Sequence, residues 1–225
     1  MKLLLVVSSL KDIESFLEKS SVVLQQHASL KYLSTAKILH HEVDFLVSGV
    51  GVFQTTYKIT KALSLQKYHL ALKLGFGNAY KEDIETGAVL NVVNEKPGDY
   101  GMMVNGEWKD LYDFGLMNRE DEPHIRGGFV NLTNAYMNVF MPYKKVVGIT
   151  VNNYADKNSV QLRREKYKAD CETGDGIGFV YPCLFEKQSY YQLCVIERNL
   201  VTGEENFNLA KEKMSETLEE LILKL

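Results

Sequence analysis

A cluster of acids and glycines stands in the second half of the chain. Residues 167–186 read YKADCETGDGIGFVYPCLFE, where Asp175 alternates with glycines at 174, 176 and 178. An apolar run follows, so the pattern predicts a short strand that leads into the N-terminus of a helix. Glycine lets the backbone approach a ligand closely, which would bring carboxylates against it. The alternative is structural, because the helix dipole stabilises an acid in a first helical turn.

Small or polar residues follow several other predicted strands in the same way. These segments are Ser8 and Ser9, residues 48–51, residues 75–78, Asn152 and Asn153, residues 172–178, and Glu197 with Arg198. In a wound α/β sheet such strand ends lie along one edge, which is where ligands bind. The sequence therefore predicts a small-molecule site that collects residues from distant parts of the chain.

Apolar runs and periodicities place the elements that carry these segments. We expect strands at 2–8, 30–39, 43–47, 70–74, 88–93, 146–151 and 192–196, and a hairpin turn at Asn105 and Gly106. Helices are predicted at 11–19, 53–65, 133–139, 159–167, from about 177 to 185, and at 204–225. The pattern indicates an α/β fold of three layers, with a central, mostly parallel or mixed twisted sheet flanked by helices. No repeat or linker interrupts it, so residues 1–225 are expected to form a single domain.

Composition excludes several classes of function. A net charge of −3 over 225 residues gives no field that would gather nucleic acid or an anionic membrane. The apolar run at residues 3–7 is too short for a signal peptide or a membrane span. The three cysteines have no metal-ligand spacing and indicate buried thiols in a reducing cytoplasm. The five histidines also lack such spacing, so we expect no metal and no cofactor.

The order of segments resembles the nucleoside phosphorylase and nucleosidase superfamily, and within it futalosine hydrolases, N-ribosidases of an alternative menaquinone pathway. The segments that carry the resemblance are MKLLLVVSSLKDIE at the start, SGVGVFQTTYKITKAL at 48–63, LKLGFGNAY at 72–80, ETGAVLNVVNEKPGDYG at 85–101, VVGITVNN at 146–153, YKADCETGDGIGFVYPCL at 167–184 and QLCVIERN at 192–199. They cover nearly the whole chain. The resemblance implies cleavage of an N-glycosidic bond in a purine nucleoside-like small molecule, by a homodimer or larger assembly.

The resemblance also implies catalytic roles. Asp12 stands where the family has a glutamate that activates the attacking water, and Arg198 stands where the family has the acid or amide that protonates or orients the purine. Glu197 lies one place before that position. A one-residue slip turns a strand side chain to the other face, so Glu197 can substitute only if the strand bulges there.

Substrate-binding roles are carried over in the same way. Gly51 belongs to the glycine turn near the ribosyl or phosphate side, and Asn78 to the turn that lines the substrate. Asn152 and Asn153 fall beside the nucleobase. Glu172 matches a glutamate of the futalosine hydrolase signature, and Asp175 matches the glutamate of a Met-Glu-Gly pattern that holds the ribose hydroxyls. Here that pattern is Gly174-Asp175-Gly176, without the methionine and with a shorter acid.

Three functions follow from these residues. The first is an N-ribosyl hydrolase of the futalosine hydrolase type. The second is a nucleoside-binding or regulatory protein of the same fold that has lost catalysis, because Arg198 and Gly174 depart from the family pattern. The third, a phosphorylase, is disfavoured because the first arginine of the chain is Arg119, and bidentate binding of phosphate is a property of arginine.

Overall fold

The structure, a computed structural model, describes residues 1–153 and 157–225, with side chains outside 154–159. In that part of the chain the strands are β1 (Lys2–Val7), β2 (Gln25–Gln26), β3 (Leu33–Ile38), β4 (His41–Val47), β5 (Leu70–Ala79), β6 (Val89–Pro97), β7 (Gly101–Val104), β8 (Glu107–Asp110), β9 (Phe129–Val130), β10 (Lys144–Thr150), β11 (Cys171–Thr173) and β12 (Tyr190–Asn199). The α-helices are α1 (Glu14–Lys19), α2 (Val52–Leu65), α3 (Met137–Phe140), α4 (Lys157–Tyr167), α5 (Gly176–Phe185) and α6 (Phe207–Lys224). A 3-10 helix covers Leu10–Ile13.

One mixed sheet organises the molecule. Its strand order is β11-β10-β6-β12-β5-β1-β4-β3-β2, and β9 pairs with β6. β11 pairs with β10 and also with β5, so β5, β12, β6, β10 and β11 form a closed ring. β1, β4, β5 and β12 run parallel to one another, whereas β6 runs antiparallel to β12.

Helices cover both faces of the sheet and make the layered arrangement. Side chains of α2 and α5 pack on one face with Leu4, Val6 and Leu46. Those of α6, with Phe16 of α1, pack on the other face with Leu3, Leu5 and Leu72. The strand β1 is therefore buried on both sides, which explains its continuous apolar sequence. The predicted α/β fold with a central mixed sheet and flanking helices is confirmed.

Close packing of α2 against α5 depends on one glycine. A Cβ atom on Gly178 would lie 2.8 Å from the carbonyl oxygen of Val52 and 2.9 Å from Cβ of Thr55. Any larger residue would push the two helices apart, which would move the loops at their N-termini. The distance between the two helices therefore affects the candidate ligand site, because the loops that precede α2 and α5 border that site.

Most predicted elements are present, with shifted boundaries. The hairpin at Asn105 and Gly106 joins β7 to β8, with both turn residues at positive φ. β5 and β12 extend several residues beyond their apolar runs, and α3 is shorter than predicted. The short strands β2 and β9 gave no signal in the sequence. Each helix among the described residues is too short or too polar to span a bilayer.

Candidate functional site

The strand β5 changes partners along its length and so opens a fork in the sheet. Its first part, Leu70–Lys73, pairs with β1 in parallel register. Its last residues, Asn78 and Ala79, pair with β11 in antiparallel register. Between these pairings β1 and β11 diverge, and we call the space between them the fork. The chain segments that follow β1, β4 and β11 meet around it.

A buried ion pair forms the floor of the fork. Nζ of Lys73 lies 2.8 Å from Oδ2 of Asp175, and the side chains are 2% and 10% exposed. Because β11 runs antiparallel to the end of β5, the chain beyond it returns along β5 and brings Asp175 level with Lys73. The hydroxyl of Thr55 also lies 3.4 Å from Oδ2 of Asp175. No described residue donates to Oδ1, so this oxygen is available to a ligand.

Asp12 lies at the end of β1, on the 3-10 helix that begins there. Its Oδ2 accepts a hydrogen bond of 2.9 Å from the backbone N–H of Ser9, and the hydroxyl of Ser9 accepts one from the backbone N–H of Lys11. This capping box fixes the carboxyl group. Burial raises the pKa of Asp12, the charges of Lys73 and Lys211 lower it, and that of Asp175 raises it further. Asp12 is therefore within electrostatic reach of the ion pair.

Glu197 is the extra residue of a bulge in β12. Ile196 lies opposite Gly77 and Arg198 lies opposite Asn78, so Glu197 has no partner on β5. Such a bulge re-aims a side chain that regular alternation would send elsewhere. Burial raises the pKa of Glu197, Arg198 opposes the rise, and the charges of Glu205 and Asp12 add to it. The condition set by the sequence is thus met, and Glu197 lies within electrostatic reach of Asp12.

Arg198 lies outside this group of side chains. Its guanidinium forms an ion pair with Glu205, and the two side chains are 49% and 56% exposed. A backbone bridge between the same residues holds the pair at the surface. The guanidinium of Arg198 therefore lies at the surface, while its neighbour Glu197 is half-buried, and the catalytic role that the resemblance implies for Arg198 stays a prediction.

Glu172 and Asn78 bind each other rather than an open space. Nδ2 of Asn78 donates a 2.8 Å hydrogen bond to Oε1 of Glu172, and the hydroxyl of Tyr80 donates to Oε2. Glu172 is 2% exposed and Asn78 is 6% exposed. These bonds tie β11 to β5 at the closed end of the fork. The two residues therefore hold the arms of the fork in place.

Gly51 borders the fork from the side of β4. It has a φ of 91° and directly precedes α2, and space lies open where its Cβ would be. The backbone N–H of Ser48 donates to the carbonyl of Val7, which sets the β4 loop beside the end of β1. The loop therefore reaches the same edge as Asp12.

Asn152 and Asn153 are exposed at the end of β10. Their backbone N–H groups donate to Asp99. The backbone N–H of Val151 donates to the carbonyl of Thr173, so the pair lies near the end of β11. No described contact joins them to the Asp12, Asp175 and Glu197 group.

Glu95 is a buried acid beneath the site that the sequence reading missed. Its carboxylate accepts hydrogen bonds from the hydroxyls of Thr150 (2.7 Å) and Thr173 (3.0 Å) and from Nε2 of Gln192 (2.9 Å). The same two hydroxyls accept from the first backbone N–H groups of α5. Burial raises the pKa of Glu95 to about 7, although the three hydrogen bonds oppose the rise. This network anchors the N-terminus of α5 and hence Asp175.

Lys73 is a second buried residue of the site that the sequence analysis does not predict. It lies within the run LALKL, where four leucine and alanine neighbours predict a buried strand. A lysine in such a run is almost never fully buried unless it is paired. The charge of Lys73 within an apolar run therefore indicates a buried ion pair, but the sequence does not show which carboxylate neutralises the charge.

The chain shares its fold with solved structures of futalosine hydrolase and of nucleosidases, as the resemblance predicted. Two solved structures match the chain over 100% of both lengths with a TM-score of 0.81. One is a mutant of futalosine hydrolase from Helicobacter pylori at 14% sequence identity, and the other is the 5′-methylthioadenosine/S-adenosylhomocysteine nucleosidase of Campylobacter jejuni at 17%. The corresponding nucleosidase of Colwellia psychrerythraea, in complex with adenine, matches with a TM-score of 0.80 at 13% identity and covers 100% of this chain and 96% of its own.

Comparison by sequence gave a different result. No family model matches the chain, and no curated protein matches it either. At 12–17% identity the structural similarity establishes the fold, while the side chains at the site decide what the fold can do.

Proposed function

We propose that this protein is an N-ribosyl hydrolase that acts on a purine nucleoside-like substrate, as futalosine hydrolase does. One observation carries the proposal. Three acids from distant segments are linked pairwise: the charge of Asp175 raises the pKa of Asp12, and the charge of Asp12 raises the pKa of Glu197. Hydrolysis of an N-glycosidic bond needs an acid, a base and groups that hold the sugar, and this set supplies all three.

Glu197 is the proposed general acid. Its raised pKa favours the protonated form, which can transfer a proton to the departing base as the bond from C1′ to nitrogen breaks. Asp12 is the proposed general base. It takes a proton from the water whose oxygen bonds to C1′, and its raised pKa strengthens it for this step. The products are the free base and the free sugar.

Asp175 and Lys73 are proposed to bind the sugar. Oδ1 of Asp175 can accept a hydrogen bond from one sugar hydroxyl. The ammonium of Lys73 has further N–H groups that can donate to the adjacent sugar hydroxyl. The rings of Phe76 and Phe207, with centroids 5.0 Å apart, are proposed to provide apolar surface for a base. The reaction needs no cofactor.

A nucleoside-binding protein without turnover is the second candidate. The observation that favours it is the ion pair itself, because Lys73 already neutralises the carboxylate of Asp175. Phosphorolysis is a lesser candidate. Arg198 is bound to Glu205 at the surface, and Arg119 is bound to Asp110 and Asp113.

Incubation of the purified protein with futalosine, methylthioadenosine, adenosylhomocysteine and inosine, with and without phosphate, tests these functions. Chromatography should show free base from at least one nucleoside, at a rate independent of phosphate. Glu197→Gln should lower the activity by about 100-fold or more, whereas Glu107→Gln, a matched change at an exposed acid, should keep it. Binding without release of base in the wild type would support the second candidate and exclude the first.

The outer face of α2 and α5 is proposed to bind a second copy of the chain. Phe53 and Tyr57 of α2 are 88% and 60% exposed, and Phe185 of α5 is 54% exposed. Tyr181 packs against Phe185 with ring centroids 4.7 Å apart. Aromatic residues are enriched at protein interfaces, and this face adjoins the loops of the fork. A homodimer would therefore cover the face and support the site.

A reducing compartment such as the cytoplasm is proposed for the protein. Cys171, Cys183 and Cys194 are all buried and free in the structure. Free buried thiols are typical of proteins that fold where disulfides do not form.

A further inference from the structure

The acid at the N-terminus of α5 does not cap its own helix. Asp175 is the N-cap residue of α5, and an acid in that position usually accepts hydrogen bonds from backbone N–H groups of the first helical turn. In this structure, which describes all of α5, the side chain of Asp175 makes no such bond. Its carboxylate instead accepts a 2.8 Å hydrogen bond from the ammonium of Lys73.

Two threonine hydroxyls from neighbouring strands cap the helix in its place. The N–H of Gly176 donates a 3.1 Å hydrogen bond to Oγ1 of Thr173, and the N–H of Ile177 donates a 2.8 Å bond to Oγ1 of Thr150. Both threonines are buried, and they lie opposite each other at the ends of β11 and β10. The first N–H groups of α5 are therefore satisfied without Asp175.

Glu95 orients both of these hydroxyls. Its Oε1 accepts the hydrogen of Thr150 at 2.7 Å and that of Thr173 at 3.0 Å. A threonine hydroxyl has one hydrogen and two lone pairs, so a hydrogen that points to Glu95 leaves the lone pairs for the helix. Without this acceptor the hydrogens would have to point elsewhere, and the cap would weaken.

Two glycines make room for the carboxyl group of Glu95. A Cβ atom on Gly176 would lie 2.5 Å from its Cδ, and one on Gly148 would lie 2.7 Å from its Oε2. Glu95 is 1% exposed, and its described donors, the two threonines and Gln192, are neutral. An acid buried among neutral groups destabilises a fold. A role in function therefore explains Glu95 better than a role in stability.

We infer that Glu95 is a positioning residue: through the two threonine hydroxyls it keeps Asp175 out of the helix cap and free to bind a ligand. Oδ2 of Asp175 then stays on Lys73, and its Oδ1 is left for the ligand. Loss of one hydroxyl would free the N–H of Ile177, which is the usual donor to an N-cap acid, and Asp175 would turn away from Lys73. The inference rests on the proposed function, in which Asp175 binds a sugar hydroxyl.

A crystal structure of Thr150→Val tests the position of Asp175 directly, because valine removes one hydroxyl and keeps the branched shape. The carboxylate of Asp175 should accept from the N–H of Ile177 and should no longer lie within hydrogen-bond distance of Lys73. In Thr150→Ser, which keeps the hydroxyl, Asp175 should remain on Lys73.

Titration calorimetry measures the consequence for binding. The probes are formycin A and formycin B, nucleosides whose C-glycosidic bond hydrolysis does not break, and the bases adenine and hypoxanthine, which lack the sugar. Thr150→Val should weaken binding of the preferred formycin about tenfold, the loss expected for one hydrogen bond, and should leave binding of the base unchanged. Thr150→Ser should bind both like the wild type, and so should Thr217→Val, the same change at a buried threonine of α6. A merely structural defect would weaken the nucleoside and the base together.

A second pair of variants keeps the test decisive if Thr150→Val does not fold. Glu95→Met removes the acceptor of both hydroxyls, whereas Glu95→Gln keeps one oxygen, so only the methionine variant should lose affinity for the formycin. The inference is overturned if Asp175 stays on Lys73 in the folded variant, or if nucleoside and base lose affinity equally. A wild type that binds none of the four probes would refute the proposed function, and the inference would fall with it.

Discussion

Replacement of Lys73 by methionine should destabilise the protein strongly, because it leaves the carboxylate of Asp175 without its counter-charge. The two charged atoms are 2.8 Å apart, and the side chains are 2% and 10% exposed. Removing one partner of such a buried pair costs about 3–5 kcal/mol. The hydroxyl of Thr55, 3.4 Å from the same oxygen, is too distant to compensate. Since a domain has only about 5–15 kcal/mol of stability, the loss should be large.

Thermal and urea unfolding, followed by circular dichroism, measure this loss. For a domain of this size each kcal/mol shifts Tm by about 2–4 °C, so Tm should fall by about 6–20 °C. As a matched control, Lys67→Met removes the ion pair of Lys67 with Glu186, whose atoms are 3.7 Å apart at the surface. An exposed pair of this kind contributes about 0–1 kcal/mol, so this variant should remain close to the wild type.

The double variant Lys73→Met with Asp175→Asn separates the charge from the packing. A neutral amide needs no counter-charge, so the double variant should recover most of the stability that the single variant loses. The reasoning is refuted if Lys73→Met costs no more than Lys67→Met. It is also refuted if the double variant is as unstable as the single one, since the loss would then come from packing alone.

Three further predictions concern the acid, the buried network and the outer face. Glu197→Gln should lower the rate of base release by about 100- to 10,000-fold with little change in Tm, measured by chromatography of released base, and an unchanged rate would remove Glu197 from the mechanism. Glu95 has a folded pKa of about 7 against 4.5 for the free group, so the unfolded state loses its proton first and stability should fall by about 3 kcal/mol as pH rises from 4.5 to 7. Glu95→Gln should flatten this part of the urea-unfolding profile, because an amide does not titrate. The variant should still fold, since Oε1 of Gln192 has no partner among the described residues and can accept from the new amide after a flip; a slope equal to that of the wild type would contradict this. Phe53→Asp should shift the sedimentation coefficient from dimer to monomer, whereas Leu223→Asp, at an exposed site on α6, should not, and a wild type that sediments as a monomer would argue against the interface.

The sequence determined the elements and their order, because these depend on local patterns. Continuous apolar runs marked β1, β5, β10 and β12 as strands buried on both faces, and the turn at Asn105 and Gly106 fixed a hairpin. The segment order was enough to predict the fold that the chain shares with solved nucleosidase structures. It was also enough to place Asp12 and Asp175 at strand ends, since a strand end is a local property.

Which side chains meet was decided by the tertiary structure. The bulge in β12 leaves Glu197 half-buried and Arg198 at the surface, and a bulge depends on the register with β5. Glu172 and Asn78 bind each other because β11 turns back along β5. Lys73 and Asp175, 102 residues apart, pair for the same reason. Sequence patterns describe the periodicity of one segment, whereas register and closure of the strand ring depend on contacts between segments, and these contacts determine the charges at the site.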